Sequence, residues 1–237
     1  MRVHFVIHEA FEAPGAYETW VGDRGFHATY SRVYLHEPLP AGADAFDLLI
    51  VMGGPQSPAT TREECAHFDS LAEQALIREA IAANKAVVGV CLGAQLIGEA
   101  LGVAHARSPE TEIGNFAITL TDAGRANAKL ASFTTSLEVG HWHGDMPGLT
   151  ADASVLATSE GCPRQIVEYM PRVYGFQCHM EFTPEVVELL IAASEDELRA
   201  KAHHPYVQSP ATLRANHFDA MNRQLFSFLD ALAAAAR

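Results

Sequence analysis

The chain is short of positive charge. Its 237 residues hold 16 Lys and Arg against 29 Asp and Glu, a formal net charge of −13. A surface of that sign repels phosphate backbones, so no nucleic-acid partner is expected. Long apolar runs are missing as well. The composition is 49% hydrophobic, yet no stretch approaches the ~20 uninterrupted apolar residues of a membrane helix. The first residues, MRVHFVIHEAFEAPGAY, lack the cationic, apolar and small-residue order of a signal peptide. Cysteine is scarce: Cys65, Cys91, Cys162 and Cys178, with no C-x-x-C pair. That excludes a disulfide scaffold and predicts a reduced, cytoplasmic protein. At this length one large domain with a well-buried core is expected.

What the chain does hold is alternation of element types. Val3–Ile7, the β-rich His27–Tyr34, Phe46–Met52 and Ala86–Val90 read as strands. The last two are continuous apolar runs, as in strands buried on both faces of a parallel sheet. Helices are expected between them, opening near Pro14 and running over 61–83, with Phe68, Leu71, Ala75, Ile77, Ala80 and Ile81 at close to helical spacing. Another begins just after Cys91. Strand–helix alternation predicts a parallel α/β sheet. From about Val103 the texture changes to short strands: Phe116–Leu120, Leu137–Trp142, Ser154–Thr158, Gln165–Tyr169 and Arg172–Gln177. These predict an antiparallel extension. Helices follow over 185–202 and 211–236. With no repeat and no linker, the expectation is one domain over 1–237, its core at about 1–192 and a C-terminal helical extension at about 193–237.

Three segments carry chemistry. Gly89-Val90-Cys91-Leu92-Gly93 ends a buried strand and starts a helix. It has the layout of a nucleophile elbow, with small residues two before and two after the nucleophile. The helix N-terminus lowers the thiol pKa and favours a developing oxyanion. A buried structural cysteine is the bland alternative. A thiolate needs a base, and the base needs an orienter. His179-Met180-Glu181 supplies both, because residues i and i+2 of an extended segment share a face. Met52-Gly53-Gly54-Pro55 ends the other apolar strand and leaves backbone N–H groups unobstructed. Together with the N–H of Leu92, one of them makes an oxyanion hole.

These three segments, in this order, resemble the class I glutamine amidotransferases, most of all the glutaminase domain of GMP synthetase and its free-standing relatives. The resemblance runs from about Phe46 to Pro184. It takes in the GGP turn, GVCLGAQL, EIGNFAITLTDAG at 112–124, EVGHWHGD at 138–145, SEGCP at 159–163 and YGFQCHMEFTPE at 174–185. It implies a flavodoxin-like α/β fold and hydrolysis of the glutamine side-chain amide through a γ-glutamyl thioester, with no cofactor. It also implies residue roles. Cys91 is the nucleophile, His179 the base and acid, and Glu181 the orienter. Gly54 and Leu92 supply the oxyanion-hole N–H groups. Gly53, Gln95, Trp142, His143, Gly144 and Asp145 hold the substrate. The implied partners are a small molecule, glutamine or a γ-glutamyl compound, and an ammonia-accepting synthetase subunit.

The chain departs from the family pattern at three places. Met180 stands where a proline usually separates the catalytic His and Glu, Cys178 where a bulky residue precedes the histidine, and Asn115 where an aromatic often follows EIG. None removes a triad atom. Other readings compete. A γ-glutamyl peptidase would use the same triad with a different leaving group. A non-catalytic subunit would be marked by loss of the cysteine or histidine, and both are present; a partner-activated enzyme would look the same in sequence. His141-x-His143-x-Asp145 has the spacing of zinc-hydrolase ligands, but Met146 stands where another histidine is wanted, and no metal is expected.

Overall fold

The apolar runs form the middle of a nine-stranded sheet in a computed structural model that describes residues 1–235. The strands are β1 (Arg2–Ile7), β2 (His27–Arg32), β3 (Leu48–Val51), β4 (Ala86–Val90), β5 (Ala106–Leu120), β6 (Ser136–Met146), β7 (Ser154–Thr158), β8 (Ile166–Met170) and β9 (Val173–Phe176). Their order is β2-β1-β3-β4-β9-β8-β7-β5-β6. The pairings β1–β2, β1–β3, β3–β4 and β4–β9 are parallel. Those from β9 through β8, β7 and β5 to β6 are antiparallel. The result is a single α/β domain with a mixed sheet, parallel on one side and antiparallel on the other, as expected.

Helices cover both faces. They are α1 (Ala16–Asp23), α2 (Ser70–Ala82), α3 (Leu92–Ala100), α4 (Asp122–Ala126), α5 (Pro184–Ala193), α6 (Glu195–Lys201), α7 (Pro210–Ala215) and α8 (Asp219–Ala234). The strands are apolar at consecutive positions because they serve two cores. Leu48 and Ile50 of β3 face a cluster with α1, α5 and α8, whereas Leu49 and Val51 face a cluster with α2 and α3. No helix among the described residues is long and apolar enough to cross a membrane.

The structure corrects several element boundaries. The helix expected over 61–83 begins only at Ser70, where Asp69 caps it by accepting from the Ala72 N–H. Thr61 and Glu64 bond to each other in turns before it, so local side-chain competition ends the helical pattern there. Leu71 is 74% exposed and lies off the buried face. The helix expected over 185–202 breaks at Ser194 into α5 and α6. That over 211–236 is two helices, α7 and α8; residue 236 lies outside the described residues. Phe116–Leu120 is the end of the 15-residue β5. The last helix docks on its own chain: Phe228 packs edge-on against Tyr174 and Phe176, with ring centroids 5.0 and 4.9 Å apart.

Candidate functional site

Cys91 sits between β4 and α3 with φ 49° and ψ −107°, a conformation L-residues rarely adopt. Crowding explains the flanking glycines. A Cβ on Gly89 would lie 2.3 Å from the Gly93 carbonyl oxygen, and one on Gly93 would lie 2.0 Å from that of Val51. The turn therefore closes only with glycine at both places. The Cys91 N–H donates to the Phe176 carbonyl at 2.7 Å, tying the elbow to β9. The Leu92 N–H, at the start of α3, has no hydrogen-bond partner among the described residues, nor has that of Gly54.

His179 follows β9 in a bent segment rather than in the strand itself. Two backbone bonds with Gly140 of β6, at 2.7 and 2.9 Å, hold it there. Its ring stacks on Phe182 at 4.6 Å. The His179 Nδ1–H donates to Glu181 Oε1 at 2.6 Å, and both side chains are buried. A carboxylate accepts, so this bond places the proton on Nδ1 and leaves Nε2 for a neighbour. Burial disfavours the imidazolium, but the Glu181 carboxylate and Cys91 outweigh it and raise the His179 pKa well above the usual value. Nε2 has no hydrogen bond, and the Cys91 Sγ instead leans on the Trp142 carbonyl at 3.7 Å. Such contacts often tighten only with substrate bound.

Cys91 opens into a cleft of about 270 Å³, whose wall includes Gly54, Gln95, Trp142, His143, Gly144 and Asp145. Gly53 and Leu92, next in sequence to Gly54 and Cys91, do not line it themselves. A Cβ on Gly53 would meet Glu12 Oε2 at 2.5 Å and His179 Cε1 at 3.3 Å, so a side chain there would displace the Glu12 carboxylate and press on the His179 ring. Gln95 bonds to Gln177 at 3.2 Å, the Trp142 indole to Glu197 at 3.2 Å, and Asp145 pairs with Arg107 at 3.2 Å.

The His141-x-His143-x-Asp145 spacing does not bring its three residues together. His141 and His143 turn inward to Glu112 of β5, with His143 Nε2 at 3.3 Å from its carboxylate, while Asp145 faces the cleft. The Gln165 amide nitrogen lies against all three, 2.7 Å from Glu112 and 3.2 Å from each ring, and Ser159 joins at 2.9 Å. His141 donates from Nε2 to the Phe116 carbonyl at 3.2 Å. Burial and His143 depress its pKa to about 3, so it is neutral. The group is a hydrogen-bonded knot beneath the cleft.

Sequence reading missed one residue of the site. Glu12 lines the cleft and is 8% exposed; its N–H donates to the Glu9 carbonyl at 3.1 Å, and its carboxylate has no hydrogen-bond partner among the described residues. Burial pushes its carboxyl up to about 7, with His179 opposing and Glu181 adding to the rise. No motif surrounds it in the β1–α1 loop. Outside the cleft, Cys65 has a histidine beside it: His67 Nε2 lies 3.4 Å from its sulfur.

The site joins an elbow cysteine at the carboxyl end of β4 to a buried His–Glu pair, and comparison with known proteins shows the family. The profile of the family "Glutamine amidotransferase class-I" matches residues 22–193. The chain belongs to the class I glutamine amidotransferase family. It is 59% identical to the glutamine amidotransferase-like protein YfeJ of Salmonella typhimurium over 98% of this chain and 97% of that one. It is 51% identical to the crystallised protein SMU.1228c, with a TM-score of 0.96 over 98% and 100% of the two chains. It is 32% identical to the GMP synthase of Aeropyrum pernix over 62% of this chain and 26% of that enzyme.

Proposed function

We propose that the chain hydrolyses the side-chain amide of glutamine, with Cys91 as nucleophile, His179 as base and acid, and Glu181 as orienter. The observation that carries this reading is the elbow thiol at the N-terminus of α3, beside a histidine whose outer nitrogen is already bonded to a carboxylate at 2.6 Å. His179 takes the thiol proton and the thiolate attacks the amide carbon. The N–H groups of Gly54 and Leu92 stabilise the oxyanion. Collapse of the intermediate passes the proton to the departing ammonia and leaves a γ-glutamyl thioester. Water, deprotonated by His179, then releases glutamate. The released ammonia serves a synthetase partner.

The cleft suits a substrate of glutamine size, being near the lower end of the roughly 300–1,000 Å³ of ligand sites. It also runs on from Cys91 to Leu190 of α5, Ser194 at the α5–α6 break and Glu197 of α6. That extension favours a second reading, a γ-glutamyl peptidase with the same triad, whose leaving amine would occupy it.

The test is release of ammonia from glutamine, and of amino acid from γ-glutamyl dipeptides, by wild type and Cys91→Ala. Turnover of one substrate class is expected, lost with the thiol. Wild-type rates in Cys91→Ala would refute the assignment.

A further inference from the structure

Behind the Gly53-Gly54 turn lies a buried pair that the triad does not use. His8, just past β1, and Glu73, in the first turn of α2, are 0% and 2% exposed. His8 Nε2 lies 2.8 Å from Glu73 Oε2, and its Nδ1 lies 2.8 Å from the Gly53 carbonyl oxygen. A carbonyl oxygen only accepts, so Nδ1 carries a proton and donates. Glu73 settles the other nitrogen: as a carboxylate it accepts from Nε2, and as an acid it donates to it. The Nδ1–H bond to Gly53 survives in both cases. Burial disfavours a charged ring here, yet Glu73 and the Gly53 carbonyl outweigh it and raise the His8 pKa.

We propose that His8, braced by Glu73, is a positioning residue that fixes the plane of the Gly53–Gly54 peptide and so aims the Gly54 N–H into the cleft as an oxyanion donor. The inference rests on the amidase reading above. In a trans peptide the carbonyl and the following N–H point in opposite directions. With the Gly53 oxygen drawn to His8, the Gly54 N–H is turned away from that ring. Gly54 lines the cleft with Cys91. A peptide between two glycines is the one most free to rotate, and a donor that must swing into place at the moment of reaction loses the advantage of preorganisation. His8 supplies the only hydrogen bond to the Gly53 oxygen among the described residues. A Cβ on Gly54 would lie 2.5 Å from Gln56 Oε1 and 3.0 Å from both His8 Cβ and Leu92 Cδ2, so this position has little room for a side chain that would stiffen the turn.

Two double variants differing only in the donor test this. His8→Leu with Glu73→Leu removes both polar groups together and leaves no orphaned carboxylate. His8→Asn with Glu73→Leu restores an N–H near the position of Nδ1. Three readouts are compared with wild type: hydrolysis of glutamine and γ-glutamyl dipeptides, alkylation of Cys91 by iodoacetamide, and the orientation of the 53–54 peptide in crystals. Alkylation uses the same thiolate but develops no oxyanion. For the leucine variant, kcat should fall about 10²–10³-fold at nearly constant KM, with alkylation within about twofold of wild type. The peptide should be rotated, and the asparagine variant should regain most of the loss. Unchanged kcat, a parallel loss of alkylation, or an unrotated peptide would each overturn the inference. If wild type hydrolyses neither substrate class, the amidase reading falls, and the peptide orientation alone decides the brace. If the leucine variant does not fold, the asparagine variant decides: kcat within about tenfold of wild type supports the brace, and a loss of about 10²-fold or more overturns it.

Discussion

The thiol of Cys91 is held at positive φ, a conformation that costs of order 1–3 kcal/mol for a residue with a Cβ. Surrounding contacts enforce it: the Phe176 carbonyl takes the Cys91 N–H, and helix α3 starts on the next residue. Cys91→Gly should therefore be more stable than Cys91→Ala by about 1 kcal/mol, after glycine's own entropic cost of roughly 0.5–1 kcal/mol. Urea denaturation of the two variants measures this directly, and equal midpoints would show that the elbow holds no strain. Glu12 makes a different prediction. Its carboxyl is pushed from 4.5 to about 7 by burial. The folded state then binds more protons than the unfolded state between those values, so Glu12 withdraws stability as pH rises through that window. Glu12→Gln does not titrate. Its Tm relative to wild type should climb between pH 5 and 8, by the equivalent of a few kcal/mol at most, at about 1.4 kcal/mol per unit. Thermal melts across that range check the slope, and a flat difference would place Glu12 in water.

At the scale of elements, α8 is the piece whose place no local pattern fixed. Its apolar side is evident in the sequence, but its partner is not. The structure sets Phe228 against Tyr174 and Phe176 beside β4, and Asp230 accepts from the Trp20 indole and Arg24 of the first helical segment. The C-terminal helix thereby covers the middle of the sheet, over β9 and beside the strand that carries the elbow. Phe228→Ala removes a fully buried ring and should cost about 3–5 kcal/mol. In a domain of this size that lowers Tm by roughly 10 °C. A change of less than a few degrees would mean that α8 is not part of the cooperative core. The helix break at Ser194 is an element-scale lesson too. Periodicity continued across it, yet the chain turned there to bring Ser194 and Glu197 to the cleft.

At the scale of the whole molecule, charge makes the simplest prediction. With a net charge of −13, the protein should pass unretained through a heparin column at about 0.1 M salt, where fields still act over roughly 10 Å. Retention would reveal a local basic face that the total conceals. The same scale separates what was legible from what was not. The β4–Cys91–α3 elbow is local: an apolar run, two small residues and a helix start, all within about ten residues. The pairing of His179 with Glu181 is local as well, since residues two apart on an extended segment share a side. The parallel half of the sheet followed from strand–helix alternation, and the antiparallel half from the change to short strands. The sequence by itself thus determined the class of fold and which residues are candidates for the chemistry, because each of those signals depends on neighbours along the chain. The tertiary structure alone decided the rest. It brought Glu12 into the cleft, joined His8 to Glu73 across 65 positions and to Gly53 across 45, and turned His143 to Glu112 rather than outward. Those contacts are set by how strands and helices stack, and a side chain's spacing along the chain carries no record of what packs against it from another element.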